Sequence, residues 1–362
     1  MLNYPLIYRP QASFGLDIGK HSAKFLELKR SGKHLVVQGF GQTDIAEGMI
    51  IEGVIAEPEA LATFIRHAID KPEYGHIKAK AVTTGLPQAH IFTRTISLPA
   101  MKPEKMAEAV QWEAQQYIPM PMSDLYLDFE IVSTTADTAG KVAQNEIFMV
   151  AAPRAIIDSY MKLFEFLSLM PESFETTLAA NTRALHPPAD AEHISIIFDA
   201  GAGATDIAVV NRHVIVSTTL AIGGDLLRDK LAQQLSVSEE HALELITKFG
   251  VAKSGLQQKI FTALKPELDR IVQEIKKLMK YYDERSKTSK KLPIEKILMT
   301  GSASHMPGFA EVISSATHLK VETSTPWDHH PVQQKTPLPA ATTAAFTTAF
   351  GLALRTISGD HS

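Results

Sequence analysis

Two aspartates, Asp17 and Asp199, each close an apolar run and stand two residues before a glycine, about half a chain apart. The first run reads Phe14-Gly15-Leu16-Asp17-Ile18-Gly19-Lys20-His21-Ser22-Ala23-Lys24. The second reads Ile196-Ile197-Phe198-Asp199-Ala200-Gly201-Ala202-Gly203-Ala204-Thr205-Asp206. Such an apolar run is a buried strand, and the small residues after it allow a tight reversal whose N–H groups face an anion. A carboxylate at the strand end suits a hydrated Mg²⁺, because that ion keeps several waters and takes carboxylate oxygen. A single Asp-x-Gly between strands is ordinarily a turn and nothing more. Two on equivalent strand–turn–strand units point to a duplicated fold with a cleft between halves, able to grip a nucleotide's phosphates from both sides.

Around these anchors the candidate contacts follow from residue type. Gly19, Gly201 and Gly203 let the backbone approach phosphate, Ser22 and Thr205 offer hydroxyl donors, and Lys20 and Lys24 offer positive charge. Asp206 either assists at the second hairpin or stabilises its turn. Gly223-Gly224 either approaches the phosphates or permits close helix packing. A third strand, Ile294 to Thr300, runs into Gly301-Ser302, a turn at which backbone can lie against a flat ring. The fourteen histidines form no metal-ligand spacing, and His329-His330 sit in a proline-rich stretch without a carboxylate partner.

The elements that position these residues alternate. Strands are expected at 35–40, 80–86, 90–98, 125–133, 146–151, 213–220, 294–300 and near 319–321. Helices are expected at 57–70, 104–117, 154–169, 174–185, 226–235, 238–249, 266–285 and 340–357, from apolar residues at helical spacing and proline stops. Residues 134–145 and 326–339 read as loops. The alternation is that of an α/β protein in two halves.

Bulk properties narrow the classes. The chain has 362 residues, 45% hydrophobic and 21% charged, which suits a soluble protein of two ordinary domains. A net charge of −4, without a basic block, argues against nucleic acid. With no cysteine there is no disulfide, thiolate metal site or cysteine nucleophile, and a reducing compartment fits. Residues 1–13 lack the apolar core of a signal peptide, and no run of 18 apolar residues occurs, so a cytosolic protein is expected.

Three segments, Asp17 to Lys24, Asp199 to Asp206 and Leu298 to Pro307, resemble the two phosphate motifs and the adenosine motif of the actin, heat-shock chaperone and sugar kinase superfamily. Within it, the chain resembles the bacterial type IV pilus assembly protein PilM family, relatives of the division actin FtsA. The specific segment is Glu104-Lys105-Met106 through Glu113-Ala114-Gln115-Gln116-Tyr117-Ile118-Pro119-Met120-Pro121, followed by Leu127-Asp128-Phe129. The resemblance implies a duplicated actin-like (ribonuclease H-like) two-lobed fold with an FtsA-type inserted small subdomain. Residues 13–86, 169–193 and 340–357 would build the first lobe, 87–168 the insertion, and 194–339 the second lobe with its helical subdomain on the nucleotide side.

It also implies ATP and Mg²⁺ as cofactors, with Asp17 and Asp199 holding the metal mostly through water. The implied partner is the N-terminal cytoplasmic peptide of a PilN-like membrane protein, with pilus motor ATPases as further contacts. Ile91, Thr93, Thr95, Trp112 and Tyr117 are the expected peptide contacts, in a groove between the first lobe and the insertion. Ordinary core packing is the alternative for the apolar positions among them.

Several residues depart from the family pattern. Lys20 and His21 replace small hydroxyl residues, and Ser302 stands where a second glycine is expected. The position that orients attacking water in the superfamily falls on Thr177, a poor general base, with Glu175 upstream as candidate or as a first-turn acid favoured by the helix dipole. Glu244 and Lys248 share a helical face at i, i+4, which suits a surface ion pair. The resemblance places ribose and adenine contacts on that helix, although Lys248 is out of phase with the usual pattern.

The expected function is an ATP-binding adaptor of type IV pilus assembly, or of a related secretion or adhesin system, attached to the inner membrane through a partner, with slow hydrolysis at most. A nucleotide-free scaffold of the same fold and a small-molecule kinase are the alternatives. A division-type filament tether would end in a linker and an amphipathic helix, and here a short polar tail follows the last helix.

Overall fold

The computed structural model describes residues 12–134, 143–187, 192–211, 213–252, 256–285, 292–333 and 340–358. Its first meander joins β1 (Ser13–Ile18), β2 (Ser22–Ser31) and β3 (His34–Asp44), antiparallel throughout, with Asp17 opposite Lys24 across the first turn. A short hairpin of β4 (Ile50–Ile51) and β5 (Val54–Ile55) leads to α1 (Pro58–Asp70), β6 (Tyr74–Gly75) and β7 (Ala81–Leu86). All six residues of β7 are buried and the strand lies parallel to β1, as expected of a strand covered on both faces.

The chain then leaves this sheet and builds another. Strands β8 (Phe92–Pro99), β9 (Leu125–Thr134) and β10 (Gln144–Pro153) pair antiparallel in the order β8-β10-β9, with α2 (Pro103–Tyr117) after β8. Met106, Val110 and Ala114 recur on one side of α2 and pack with Ile96, Ile147 and Met149 in a core of their own. From β10, α3 (Arg154–Leu167) returns to the first sheet. Its Ile156, Tyr160, Leu163, Phe164 and Leu167 form the stripe that packs with Leu61 and Ile65 of α1. Strand β11 (Met170–Thr176) follows, parallel to β7, and then α4 (Thr177–Leu185), capped by the Thr176 hydroxyl.

A second meander, β12 (Ile194–Ala200), β13 (Thr205–Val210) and β14 (Val214–Leu220), opens the other half. Helices α5 (Gly224–Leu235), α6 (Glu239–Phe249) and α7 (Leu256–Arg285) precede β15 (Ile294–Thr300), which is parallel to β12. Helix α8 (Phe309–Thr317) and β16 (Lys320–Thr323), parallel to β15, complete that sheet. Last come α9 (Pro326–His329), β17 (Val332–Gln333), α10 (Ala340–Ala345) and α11 (Thr347–Ser358).

The two large sheets carry one strand order. In β3-β2-β1-β7-β11 and in β14-β13-β12-β15-β16, three antiparallel strands are followed by two parallel additions. Helices α1 and α3 cover one face of the first sheet, and α5 to α8 cover one face of the second. Helices α4 and α11 lie between the sheets, where Leu178, Phe346 and Phe350 share a core with Leu26 of β2, Ile197 of β12 and Leu298 of β15.

The elements differ from the sequence expectation in several places: α8 is not among the expected helices, and the helix expected at 340–357 is broken at Phe346 into α10 and α11. Helix α7 begins ten residues before Pro266, which lies inside it. Ile260, Leu264, Leu268, Ile271 and Ile275 form a continuous buried stripe across the proline, and this burial outweighs the lost backbone hydrogen bond. Phe174 to Thr176, expected in a helix, extend β11 instead, because Phe174 and Thr176 pair with Thr84 and Leu86 of the buried β7. Within 326–339, expected as loop, α9 is closed by a capping box of Thr325 and Asp328, and β17 adds to the edge of β3. Most of the loop expected at 134–145 lies outside the described residues.

Candidate functional site

Strand alternation decides where the two aspartates point. On β1, Phe14, Leu16 and Ile18 face the α1/α3 side, so Asp17 turns the opposite way, toward the layer between the sheets. On β12, Ile194, Ile196, Phe198 and Ala200 face the α5–α8 side, so Asp199 turns with Ile197 toward the same layer. Matching ends of matching strands therefore present two carboxylates to one crevice.

Their electrostatics show that they share it. Asp199, partly open to solvent, is pushed up to about 7 by desolvation first, then by the charges of Asp206 and Asp17. A hydrogen bond from Asn181 Nδ2 at 2.7 Å and the charge of Lys24 oppose the rise. Asp17 is also raised by desolvation, against the pull of Lys24. Asp206 is raised by desolvation to about 6, despite a 2.5 Å hydrogen bond from the Thr219 hydroxyl. Three half-buried carboxylates, two of them under the pull of Lys24, form an acidic floor that a hard divalent cation would relieve. Among the described residues there is no group of three or more His, Cys, Asp or Glu side chains in metal-binding arrangement. A cation here would rest on the Asp17 and Asp199 carboxylates plus water, which is the coordination Mg²⁺ favours.

Above this floor the hairpins close alike. Gly19 N–H donates to Ser22 O at 3.0 Å, and Gly201 N–H donates to Ala204 O at 3.0 Å. Lys24 Nζ donates to Ser22 Oγ at 2.6 Å. The Thr205 hydroxyl, expected as a donor to phosphate, donates instead to Ile222 O at 2.6 Å and ties β13 to the turn before α5. Gly223 serves close approach: a Cβ there would overlap Ala202 O of the second hairpin. Gly224 N–H and Asp225 N–H donate to Gly201 O and Ala202 O at 3.0 and 2.9 Å, so the start of α5 is bound to that hairpin. Gly301 has φ +90°, and a Cβ there would overlap the Asp199 carboxylate. Ser302 is exposed beside it.

The departures at Lys20 and His21 have a definite outcome. Both reach across the crevice to Asp225 on α5, Lys20 Nζ at 2.6 Å and His21 Nε2 at 2.7 Å from Oδ2. Asp225 is held below the ordinary carboxylate range by these two partners, which overcome its desolvation.

Other expected residues lie elsewhere. Glu175 is on β11, not in the first turn of a helix, and it is buried in an ion pair with both nitrogens of the Arg183 guanidinium at 2.8 and 2.7 Å. Arg355 stands 3.4 Å away, and Arg183 also donates to Gly351 O at 2.7 Å. The carboxylate thus clamps β11, α4 and α11 together. Thr177 opens α4, with its hydroxyl oxygen buried and without a hydrogen-bond partner among the described residues. On α6, Glu244 and Lys248 are exposed and do not pair as expected: Glu244 meets His241 at 3.5 Å, and Lys248 lies 5.4 Å over the Phe249 ring.

The five expected peptide contacts do not form one surface. Ile91 is buried in the first-sheet core. Thr93 and Thr95 alternate with Phe92, Ile96 and Leu98, which pack on α2, so the threonines face the other side of the small sheet. Trp112 on α2 is 70% exposed, and Tyr117 lies under the Arg94 guanidinium, 3.5 Å from the ring centroid.

Sequence reasoning missed Asn181, which orients Asp199 and is itself held by Thr348 at 3.0 Å, and it missed the part of Asp225. Asn181 lies one helical turn beyond Thr177, and Asp225 directly follows Gly223-Gly224, so both had a local signal in their spacing.

Paired sheets of one topology, a helix layer between them and a hairpin–hairpin crevice define an actin-like two-lobed α/β protein. The family model for the type IV pilus assembly protein PilM matches residues 15–357, and the chain belongs to that family. Among solved structures, it is similar to a PilM–PilN type IV pilus biogenesis complex, with TM-score 0.81 at 22% identity over 96% of this chain and 99% of that one. The ethanolamine utilization protein EutJ of Carboxydothermus hydrogenoformans gives TM-score 0.54 at 14% identity, over 97% of this chain and 91% of that one. MreB 5 of Spiroplasma citri, solved with AMPPNP, gives 0.52 at 11% identity over 97% of each chain.

Proposed function

We propose that the chain is a cytoplasmic ATP-binding adaptor of type IV pilus assembly that docks the N-terminal peptide of a PilN-like inner-membrane protein. The observation that carries the nucleotide half is the common field of Asp17, Asp199 and Lys24 at the foot of two like-built hairpins. Asp17 and Asp199 would hold Mg²⁺ through water, and the Gly19–Ser22 and Gly201–Thr205 hairpins with Lys24 would hold phosphates. When bound, Mg²⁺ would supply charge neutralisation for the phosphates and for the raised carboxylates. Gly301 and Ser302 would meet the base, and Gly223 and Gly224 would back the second hairpin. Hydrolysis is slow or absent on this reading, since Glu175 is engaged by Arg183 and Thr177 offers only a hydroxyl.

Membership of the PilM family supports the pilus assignment. No helix among the described residues is long and apolar enough to cross a membrane, so attachment is assigned to the partner. The peptide's place is the face of the small sheet carrying Thr93 and Thr95, beside β8, an end strand of that sheet among the described residues, where an extended segment can add.

Two titrations test this. Mg-ATP at about 100 times its dissociation constant should raise unfolding stability by about 2.7 kcal/mol, and the rise should vanish in Asp17→Asn. A fluorescent PilN-like tail peptide should bind the wild type and Trp112→Ala but not Thr95→Arg; equal binding by all three removes the β8 assignment. The second reading, a nucleotide-free scaffold, is favoured by Lys20 and His21 already engaging Asp225, and an unchanged melting temperature in millimolar Mg-ATP would support it.

A further inference from the structure

The cleft's mouth is bridged by a lysine and a histidine of one lobe and a carboxylate of the other. Lys20 and His21 come from the β1–β2 turn, and Asp225 from the first turn of α5. Asp225 accepts from Lys20 at 2.6 Å and meets His21 Nε2 through both oxygens, at 2.9 and 2.7 Å. Within its own lobe, among the described residues, Arg228 faces it at 3.7 Å, and its backbone N–H is fixed to Ala202 O of the second hairpin. The Lys20 chain also crosses the second hairpin, its Cδ 3.1 Å from where a Cβ of Gly203 would stand. The lysine therefore lies over the backbone at which an incoming phosphate would be received. A carboxylate placed against a lysine ammonium, an imidazole nitrogen and the start of a helix is the arrangement a phosphate oxygen would itself adopt.

We propose that Asp225 is an internal anion that latches the two lobes through Lys20 and His21, and that a phosphate chain enters by displacing it. Lys20 and His21 would then pass from Asp225 to phosphate, while Arg228 keeps Asp225 paired within its own lobe. The displacement rests on the nucleotide reading above; the latch does not. The side chains of Lys20 and His21 are 57% and 49% exposed, so the bridge is screened and its weight is modest. A modest bridge suits this task, because a ligand shifts an equilibrium only by its differential affinity for the two states.

The chain has no cysteine, so a cysteine pair placed at exposed Glu52 and Glu244 carries spin labels at defined sites in each lobe. Without nucleotide, the interlobe distance distribution should broaden to longer distances in Asp225→Asn and in Lys20→Ser/His21→Ser. Unchanged distributions in both overturn the latch. With Mg-ATP, Asp225→Asn should bind about fivefold more tightly than the wild type, the scale of removing an exposed ion-pair competitor. Equal or weaker binding overturns the displacement. If neither protein binds Mg-ATP, the nucleotide reading and the displacement fall together, and the distance measurement still decides the latch.

Discussion

Asp199 is pulled in opposite directions: its surroundings and two neighbouring carboxylates favour the proton, while Asn181 and Lys24 favour the charge. The proton side prevails. Its carboxyl is pushed up from 3.8 to about 7, and that of Asp206 from 3.8 to about 6. From about pH 4 to about pH 7 the folded protein thus holds protons that the unfolded chain has released. Stabilisation of this kind is complete below the unfolded pKa and is lost as pH rises through the folded one. Without divalent cation, folding stability contributed by these groups should fall by several kcal/mol across that range. His330, lowered from 6.5 by desolvation, acts oppositely as the medium becomes acidic, and Asp225 and Glu322, both lowered, act below the ordinary carboxylate range. The readout is therefore the difference between wild type and Asp199→Asn in urea unfolding at each pH. The gap should open in favour of the variant toward pH 7, and parallel profiles would refute the perturbation. Glu175 is the contrasting carboxylate, whose paired arginines make it part of the scaffold.

Between residues and molecule, the elements explain what could be read from sequence alone. The hairpins at Asp17 and Asp199 were legible because a strand end and its small-residue turn are set by neighbours within about ten positions. So was α2, where Met106, Val110 and Ala114 recur at i, i+4 and i+8 ahead of Tyr117-Ile118-Pro119. Elements decided by distant partners were not legible. Residues 174–176 become strand because β7 is there to pair with them, and Pro266 is absorbed because the stripe from Ile260 to Ile275 has a sheet to cover. The Lys20–Asp225 bridge spans 205 positions, and no local pattern announces it. The small sheet supplies a prediction at this scale. Val110 is fully buried in a cluster drawn from α2 and β8 to β10. Val110→Ala should cost about 2 kcal/mol locally. In native-state hydrogen exchange, protection should fall in β8–β10 while β12 and β13 keep theirs. Uniform loss across the chain would mean that the small sheet has no separate stability.

At the scale of the whole molecule, the two lobes are joined at their base by more than a hinge. Helices α4 and α11 fill the space between the sheets, and one cluster there contains Val37 and Phe40 from the first and Ala208 and Val210 from the second. Phe350, fully buried in α11, packs at a tilt against Trp327 at 5.0 Å and against His330 at 5.5 Å between ring centroids. Each sheet thus relies on the same two helices to cover one of its faces. Relative motion of the lobes must then concentrate at the mouth, where polar hairpins meet, because opening the base would expose this shared core. A ligand bridging the hairpins acts away from this shared core. Phe350→Ala tests the shared base. The truncation should cost about 3–5 kcal/mol, the usual range for a buried phenylalanine. Calorimetry should still show one transition at a lower temperature, and hydrogen exchange should rise together in β1–β2 and in β12–β13. Exchange rising in β1–β2 alone, or a melt that separates into two steps, would mean that the lobes fold and move independently, and an interlobe latch would then have no fixed base to act against.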